Sequence, residues 1–441
     1  MRRMRLQSLA VGLVVIATAA SISAPYLRSY TRAAAVFARF SHLEGPITEA
    51  LAWEDEDVIV EMTTVPSRHG PLPTRVYVPR HIRRAVTLMA GVNMLGIDEP
   101  RLYGLAYEMA RVGVAVITPD TPDLKRFDIS ARTVDMIEDS AIWLSQQRRL
   151  APSGHVGMVG ISFSGGLSIV AAGRPALRPI VDFVFSFGGH SDFPRVLRYL
   201  CTGKEPALAP VAGAEAPAYT TAAPNAYTTA PPNADTAAPP NADTAAPPNV
   251  GRGFSPGASS APAETYRRPH DYGVVIILLD VAERVVPAGQ VQPLKDAILT
   301  YLLAGHYELI DKRLAKGTFD KALAMADALP EPSRAYMRMV NDRDVEQLGR
   351  LVLPLVETHP VDRTLSPDLN PPPVCTVFLL HGTDDTVIPS IETLQMERYL
   401  RGKTRVRALL SGVITHAELD QQQGYGEVWR LVDFFAALLR Q

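Results

Sequence analysis

The sequence predicts an α/β fold, in which helices cover both faces of a mostly parallel central sheet. Short apolar runs rich in β-branched residues alternate with segments of helical spacing over the first 200 residues, and the alternation resumes after residue 370. Strands that alternate with helices in this way usually form a parallel sheet buried on both sides. The content of 47% hydrophobic and 20% charged residues is that of an ordinary globular protein.

The predicted elements follow one another in a regular order. Strands are predicted at Val58–Met62, Thr74–Val78, Val86–Ala90, Val114–Thr118, Val156–Val159, Val181–Phe185, Val374–Leu380 and Val406–Leu410. Helices are predicted near Ser29–Phe40 and at Leu102–Val112, Val134–Gln146, Ser164–Ala172 and Trp429–Leu439. We therefore expect a mixed sheet of eight or nearly eight strands, interrupted after its sixth strand.

Two segments of different composition make up that interruption. Between residues 211 and 250 more than half of the residues are Ala or Pro, and the repeat PNAYTTAP, PNADTAAP, PNADTAAP contains few large apolar side chains. Such a segment cannot bury a core, so we predict a disordered Ala/Pro-rich linker over residues 203–265. Residues 266–370 then show helical spacing and predict a helical lid insertion. The two parts of the core are expected at residues 50–200 and 371–441.

The N-terminal residues 1–28 predict a signal peptide or an N-terminal membrane anchor. Three arginines precede the uncharged run Leu6–Ala24, which is close to the roughly 20 residues needed to span a bilayer. Ala17-Thr18-Ala19 fits the cleavage site of a signal peptide, whereas Arg28 after the run fits an uncleaved anchor. Both interpretations place the body of the protein outside the cytoplasm, as a membrane-anchored or a secreted or periplasmic protein. A buried N-terminal helix is the structural alternative.

Charge and cysteine content exclude several other classes. A formal net charge of -2 gives no reason to expect a nucleic-acid partner. Two cysteines, Cys201 and Cys375, cannot build a disulfide framework or a zinc site of several thiolates, although they could pair with each other. No phosphate-binding glycine loop or metal-ligand spacing is apparent, so no cofactor or metal is expected.

The first chemical signal is Gly160-Ile161-Ser162-Phe163-Ser164-Gly165-Gly166, between a predicted strand and a predicted helix. A nucleophilic serine on such a turn adopts a strained backbone, and small neighbours relieve the crowding. Gly160 lies two residues before Ser162 as required, but Ser164 stands where a second glycine is usual. A frame with Ser164 as the nucleophile fits less well, and an ordinary glycine-rich turn is the structural alternative.

The second signal is VFLLHGTDDTVIP, residues 377–389, which places carboxylates just after a strand. Open α/β sheets carry their sites at the carboxyl ends of strands. Asp385, three residues after Gly382, is the favoured acid, and Asp384 is the fallback. Either aspartate could instead cap the helix expected from Ser390.

The third signal is His416 in LLSGVITHAELD, on a loop after the last predicted strand. It completes the chain order Ser, Asp, His, which is one of the known orders of a catalytic triad. A variant arrangement would take its acid from Asp192, in His190-Ser191-Asp192 after the sixth strand.

On these motifs the chain resembles the α/β-hydrolase superfamily, and most closely its dienelactone hydrolase-like and serine esterase branch. The resemblance covers roughly residues 58–200 and 374–440. It implies the α/β-hydrolase fold, with Ser162 as nucleophile, His416 as base and Asp385 as the acid that orients the base.

The resemblance also implies an oxyanion hole of two backbone N–H groups. One is expected from Phe163, directly after the nucleophile. The other is expected from Val92, in Ala90-Gly91-Val92, where members of the superfamily often have His-Gly-x. The histidine is missing here, but a backbone donor does not depend on it.

The expected activity is that of a serine hydrolase acting on a small-molecule acyl substrate, a carboxylic ester, a thioester or a small amide, through an acyl-enzyme on Ser162. Two alternatives keep the same triad, namely an acyltransferase and a peptidase. A third is a non-catalytic binding protein on a hydrolase fold, because a fold alone does not establish an activity.

Overall fold

The computed structural model describes residues 26–39, 55–206, 265–308, 310–358, 362–415, 418–419 and 425–441. The apolar run predicted as a signal peptide or anchor lies outside the described residues, as does most of the predicted Ala/Pro-rich linker. None of the helices that the structure describes combines the length and apolarity needed to cross a bilayer.

Eight strands form the central sheet. They are β1 (Val58–Val65), β2 (Leu72–Pro79), β3 (Arg84–Met89), β4 (Val114–Pro119), β5 (Val156–Ile161), β6 (Val181–Phe187), β7 (Thr376–Gly382) and β8 (Val406–Ser411). Their order across the sheet is β1-β2-β4-β3-β5-β6-β7-β8. Strand β2 runs antiparallel to both β1 and β4, and the remaining pairs are parallel. The prediction of a mixed, mostly parallel sheet of eight strands is confirmed.

The burial of the strands explains their sequences. Every residue of the all-apolar stretch in β4 is buried, as expected for a central strand covered on both faces. Strand β1 lies at the edge of the sheet and exposes Ile59 and Met62.

Helices lie on both faces of this sheet. In chain order they are α1 (residues 26–39), α2 (Pro100–Arg111), α3 (Pro122–Lys125), α4 (Ala131–Gln146), α5 (Phe163–Ala172), α6 (Phe193–Thr202), α7 (Asp271–Val285), α8 (Ala288–Glu308), α9 (Lys312–Ala328), α10 (Ser333–Asn341), α11 (Val345–Thr358), α12 (Ile391–Leu400) and α13 (Tyr425–Leu438). Buried side chains of α4 and α5 belong to one apolar cluster, and those of α1, α2 and α13 belong to a second cluster. Strand residues contribute to both clusters, and the sheet lies between the two clusters.

Helices α7–α11 form an insertion between β6 and β7, after the sixth strand as the sequence predicts. Its apolar face, with Val274, Leu278, Leu294 and Ile298 all fully buried, joins the cluster that contains α4 and α5. Both ends of the range predicted for the linker are described, and they pair as two short antiparallel strands, Lys204–Glu205 and Thr265–Tyr266.

Together, the strand order, the helices on both faces and the insertion after β6 confirm the predicted α/β-hydrolase fold. The cysteines do not pair, because Cys201 and Cys375 are both free and buried. Burial raises the pKa of each thiol to about 12, so neither thiol is activated at neutral pH.

Candidate active site

Ser162 lies on the turn between β5 and α5 in a backbone conformation that non-glycine residues rarely adopt. Its φ is 57° and its ψ is −132°. The Ser162 N–H donates to the carbonyl of Phe187 at the end of β6, at 2.7 Å, which fixes the turn against the neighbouring strand. A Cβ at Gly160 would lie 2.3 Å from the Ser164 carbonyl oxygen, so only glycine fits there. The surrounding structure therefore enforces the strained backbone of Ser162.

Ser164 supports the turn with its side chain. The Ser164 hydroxyl is fully buried, accepts the Ile161 N–H at 2.9 Å and lies within donating distance of the Ile161 and Met89 carbonyls, at 2.8 and 3.1 Å. These contacts tie the turn to β3. They explain why serine replaces the usual glycine, and they give this hydroxyl a structural role in place of a nucleophilic one.

The loop after β3 lies directly against Ser162. A Cβ added to Gly91 would be 3.4 Å from the Ser162 Cβ. Val92 and Phe163, the two predicted oxyanion donors, line the same cavity as Ser162, and its volume is about 100 Å³. The predicted nucleophile and the predicted donors therefore meet at one cavity.

Two side chains of the insertion hold this loop. The Tyr272 hydroxyl of α7 donates to the Val92 carbonyl at 2.8 Å. Burial raises the pKa of Tyr272, so the phenol keeps the proton that it donates. The Asn93 Oδ1 accepts the Leu95 N–H at 2.8 Å, which leaves Asn93 Nδ2 facing His306 Nδ1 of α8 at 3.1 Å.

The contact between Asn93 and His306 fixes the protonation of the imidazole. An amide nitrogen only donates, so His306 Nδ1 accepts and the ring carries its proton on Nε2. Burial lowers the pKa of His306, which favours this neutral form. The sequence analysis missed both Tyr272 and His306, because their contacts span 180 and 213 residues and leave no local pattern.

Asp385 lies on the loop after β7 and is almost completely buried. Its Oδ1 accepts the backbone N–H groups of Val387 at 2.8 Å and Ile388 at 3.0 Å, and its Oδ2 lies 3.3 Å from His381 Nε2. A Cβ on Gly188, just after β6, would lie 3.6 Å from Oδ2. The carboxylate is therefore oriented by its own loop and directed towards the end of β6.

Asp384 differs from Asp385 in its exposure and in its contacts. Its side chain is 73% exposed and lies 3.3 Å from Arg267. Helix α12 begins at Ile391 after Ser390, without a side-chain cap, so neither aspartate caps it. Exposure makes Asp384 a poor candidate for the acid.

The end of β6 links the predicted nucleophile to the predicted acid. Phe187 binds the Ser162 N–H, and Gly188 approaches Asp385. Only β6 separates β5 from β7 in the sheet. His416 lies outside the described residues, directly after the short strand Ile414–Thr415, so its role stays a prediction.

Asp192 has a structural role. It accepts the Arg195 N–H at 3.0 Å as the N-cap of α6. Arg195 in turn forms a bidentate pair with the buried Glu392. The neighbouring His190 is fully buried with Nε2 3.1 Å from the Leu365 carbonyl, and burial lowers its pKa.

Neither a protein-family model nor a curated protein matches this chain. Among solved structures, it is similar to an esterase of Pyrobaculum calidifontis, with 13% identity, coverage of 93% of this chain and 90% of that chain, and a TM-score of 0.41. A bacterial brefeldin A esterase matches with 13% identity over 93% of this chain and 83% of that chain, with a TM-score of 0.40. A dienelactone hydrolase from Anabaena variabilis shares 25% identity over 30% of this chain and 64% of that chain, with a TM-score of 0.27.

Proposed function

We propose that this protein is a serine hydrolase that cleaves a carboxylic ester, a thioester or a small amide through an acyl-enzyme on Ser162. The observation that carries the proposal is the positive φ of Ser162, a residue that lies on a turn and lines a cavity. Strain of this kind persists only where the surrounding structure enforces it, and such residues concentrate at active sites. The buried Asp385, two strands away in the sheet, adds the carboxylate that a triad requires.

The proposed reaction begins when Ser162 Oγ attacks the carbonyl carbon and His416 takes the hydroxyl proton. The electron pair of the C=O bond moves onto oxygen, and the N–H groups of Phe163 and Val92 stabilise that oxyanion. The leaving alcohol, thiol or amine departs with the proton from His416. Water then attacks the acyl-enzyme in the same way and releases the acid. Asp385 accepts a hydrogen bond from His416 and stabilises its protonated form.

The walls of the serine cavity support this chemistry. Leu102, Leu105 and Phe187 line it, and its two charged residues, Glu99 and Arg101, pair with each other at 2.7 Å. Among the residues that the structure describes, the cavity therefore presents no uncompensated charge to a neutral ester. In such surroundings, hydrogen bonds to a developing oxyanion are stronger than in water.

A fluorophosphonate probe on the full chain tests the proposal, with the labelled residue mapped by mass spectrometry. We expect the label on Ser162 in the wild type, and its loss in Ser162→Ala and His416→Ala. Ser168→Ala is the matched control, because it removes a buried hydroxyl without a hydrogen-bond partner from the same helix. An unlabelled but folded wild type would overturn the proposal. Product analysis with an added alcohol acceptor would distinguish hydrolysis from acyl transfer.

A further inference from the structure

A larger cavity adjoins the serine cavity on the side of the insertion. Its volume is about 270 Å³, and we call it the apolar cavity. Phe163, Tyr272 and Val387 line both cavities, so the two meet at these three side chains. A substrate whose scissile carbonyl lies at Ser162 therefore has this space next to it.

The walls of the apolar cavity are mostly hydrocarbon. Three helices contribute aliphatic side chains, namely α6 with Leu197, α7 with Ile276, Ile277 and Val281, and α11 with Val356. A cavity of about 150 Å³ with such walls accommodates the six carbons of benzene, so this one accommodates about ten carbon atoms. Its size and chemistry match a hydrocarbon chain better than a sugar or a peptide.

The charged residues that line the apolar cavity are all acidic. Asp128, Asp280 and Asp362 line it, and no Lys, Arg or His does so among the residues that the structure describes. Asp128 and Asp280 are exposed, which places them where the cavity opens to solvent. Desolvation and the nearby carboxylates of Asp123 and Asp280 raise the pKa of Asp128, and Arg126 and Arg132 lower it, with a net increase. An anionic chain end at this opening would be repelled.

We propose that the apolar cavity binds the hydrocarbon part of the substrate, an uncharged chain of about ten carbon atoms on one side of the scissile bond. This inference rests on the proposed function and names its substrate class. Each CH₂ that enters the cavity is expected to raise kcat/KM by up to about fourfold, the equivalent of 0.8 kcal/mol. The gain should end where the chain fills the cavity.

The test uses 4-nitrophenyl esters of increasing acyl length and acetate esters of increasing alcohol length, with the full chain. We expect kcat/KM to rise to about ten carbons in one of the two series and then level off. Ile276→Trp, at a half-buried wall position, should move the optimum to shorter chains, with the loss of kcat/KM increasing with chain length. Leu299→Trp is the matched control, because Leu299 is a half-buried aliphatic residue of the insertion that lines neither the apolar cavity nor the serine cavity. An ester of equal length that ends in a carboxylate should react slower, on the order of tenfold.

A binding experiment separates the two proposals. We expect 1-decanol to raise the Tm of Ser162→Ala and not that of Ser162→Ala/Ile276→Trp, because a ligand of the folded state stabilises it. If Ser162 takes no label but decanol still binds in this way, the proposed function fails and the assigned ligand class stands. If esters are cleaved at the same rate at every length in both series, or if Leu299→Trp shifts the optimum as much as Ile276→Trp, the inference about the cavity is overturned.

Discussion

The two loops that border the candidate site are held in different ways. We call residues 383–390, after β7, the acid loop, and residues 90–95, after β3, the oxyanion loop. Most contacts of the acid loop come from its own neighbourhood. Asp385 accepts two N–H groups two and three residues away, and His381 donates to the Ile388 carbonyl and contacts Thr393, seven and twelve residues away. Two further contacts come from the segment that leads into the insertion, from the His270 N–H to the Thr386 carbonyl at 2.9 Å and from Arg267 to the Asp384 carboxylate at 3.3 Å.

The oxyanion loop depends on the insertion for its side-chain contacts to distant residues. Tyr272 holds the Val92 carbonyl, and His306 holds Asn93. The insertion is therefore a structural support of the predicted oxyanion hole as well as a wall of the cavities. Substitutions in the insertion should therefore change the chemistry at Ser162, whereas the conformation of the acid loop should respond mainly to changes in its own residues.

The largest effect is expected from Asp385→Asn. The amide oxygen of Asn can still accept the Val387 and Ile388 N–H groups, so the acid loop should keep its conformation. The amide NH₂ then replaces the oxygen that would orient His416, and the histidine is held in the wrong tautomer. We expect kcat/KM to fall by a factor on the order of 10³ to 10⁴, measured with the best ester of the series.

Asp384→Asn is the matched control for that variant. It removes the same charge from the adjacent, exposed position, where the pair with Arg267 contributes at most about 1 kcal/mol to the stability. Its kcat/KM should stay within about twofold of the wild type. Equal losses in the two variants would show that the acid loop does not distinguish the two carboxylates.

The difference between the loops also explains what could be predicted from the sequence. The β strands, the elbow at Ser162 and the buried carboxylate at Asp385 are determined by short-range patterns, namely apolar runs and small residues at fixed spacing. The helix α6 was missed, although Asp192 followed by Phe193-Pro194 is a helix-start signal that could have indicated it. Tyr272 and His306 could not be found, because a contact across 180 or 213 residues arises only when the insertion packs on the sheet.

Tyr272→Phe should produce the next largest effect. The substitution keeps the ring that lines the cavities and removes only the hydroxyl that holds the Val92 carbonyl. A displaced oxyanion donor stabilises the transition state less, so we expect kcat to fall roughly tenfold with KM nearly unchanged. Steady-state kinetics with one ester over a range of concentrations provides this measurement.

Tyr301→Phe provides the control within the same insertion. Tyr301 is also a buried phenol, but its hydroxyl donates to Asp271, within the insertion itself. Tyr272→Phe loses a hydrogen bond to a neutral carbonyl, which costs about 1 kcal/mol in the free energy of unfolding, and Tyr301→Phe loses one to a carboxylate, which costs about 1.5 to 3 kcal/mol. Only Tyr272→Phe should lose kcat. If both variants lose kcat equally, the effect of Tyr272 is general stability, and the proposed dependence of the oxyanion loop on the insertion is wrong.

The smallest effect concerns the pH dependence of the second support. Burial lowers the pKa of His306, nearby Glu99 raises it and Arg101 lowers it, with a net decrease from 6.5. The unfolded protein therefore binds more protons at this residue than the folded protein between the lowered pKa and about 6.5. The stability contributed by neutral His306 is complete above about 6.5 and is lost as the pH falls from there through the lowered pKa.

His306→Gln tests this dependence, because its amide oxygen can accept from Asn93 at any pH. We expect the free energy of unfolding, from urea titrations between pH 7 and 5, to fall more steeply in the wild type than in His306→Gln. For one proton the difference in slope cannot exceed about 1.4 kcal/mol per pH unit. The lowered pKa of His190 acts in the same direction in both proteins and cancels in the comparison. If the free energy of unfolding falls equally with pH in both proteins, the Asn93 contact does not distinguish the two protonation states of His306. Tyr272 would then be the remaining support of the oxyanion loop among the described residues of the insertion.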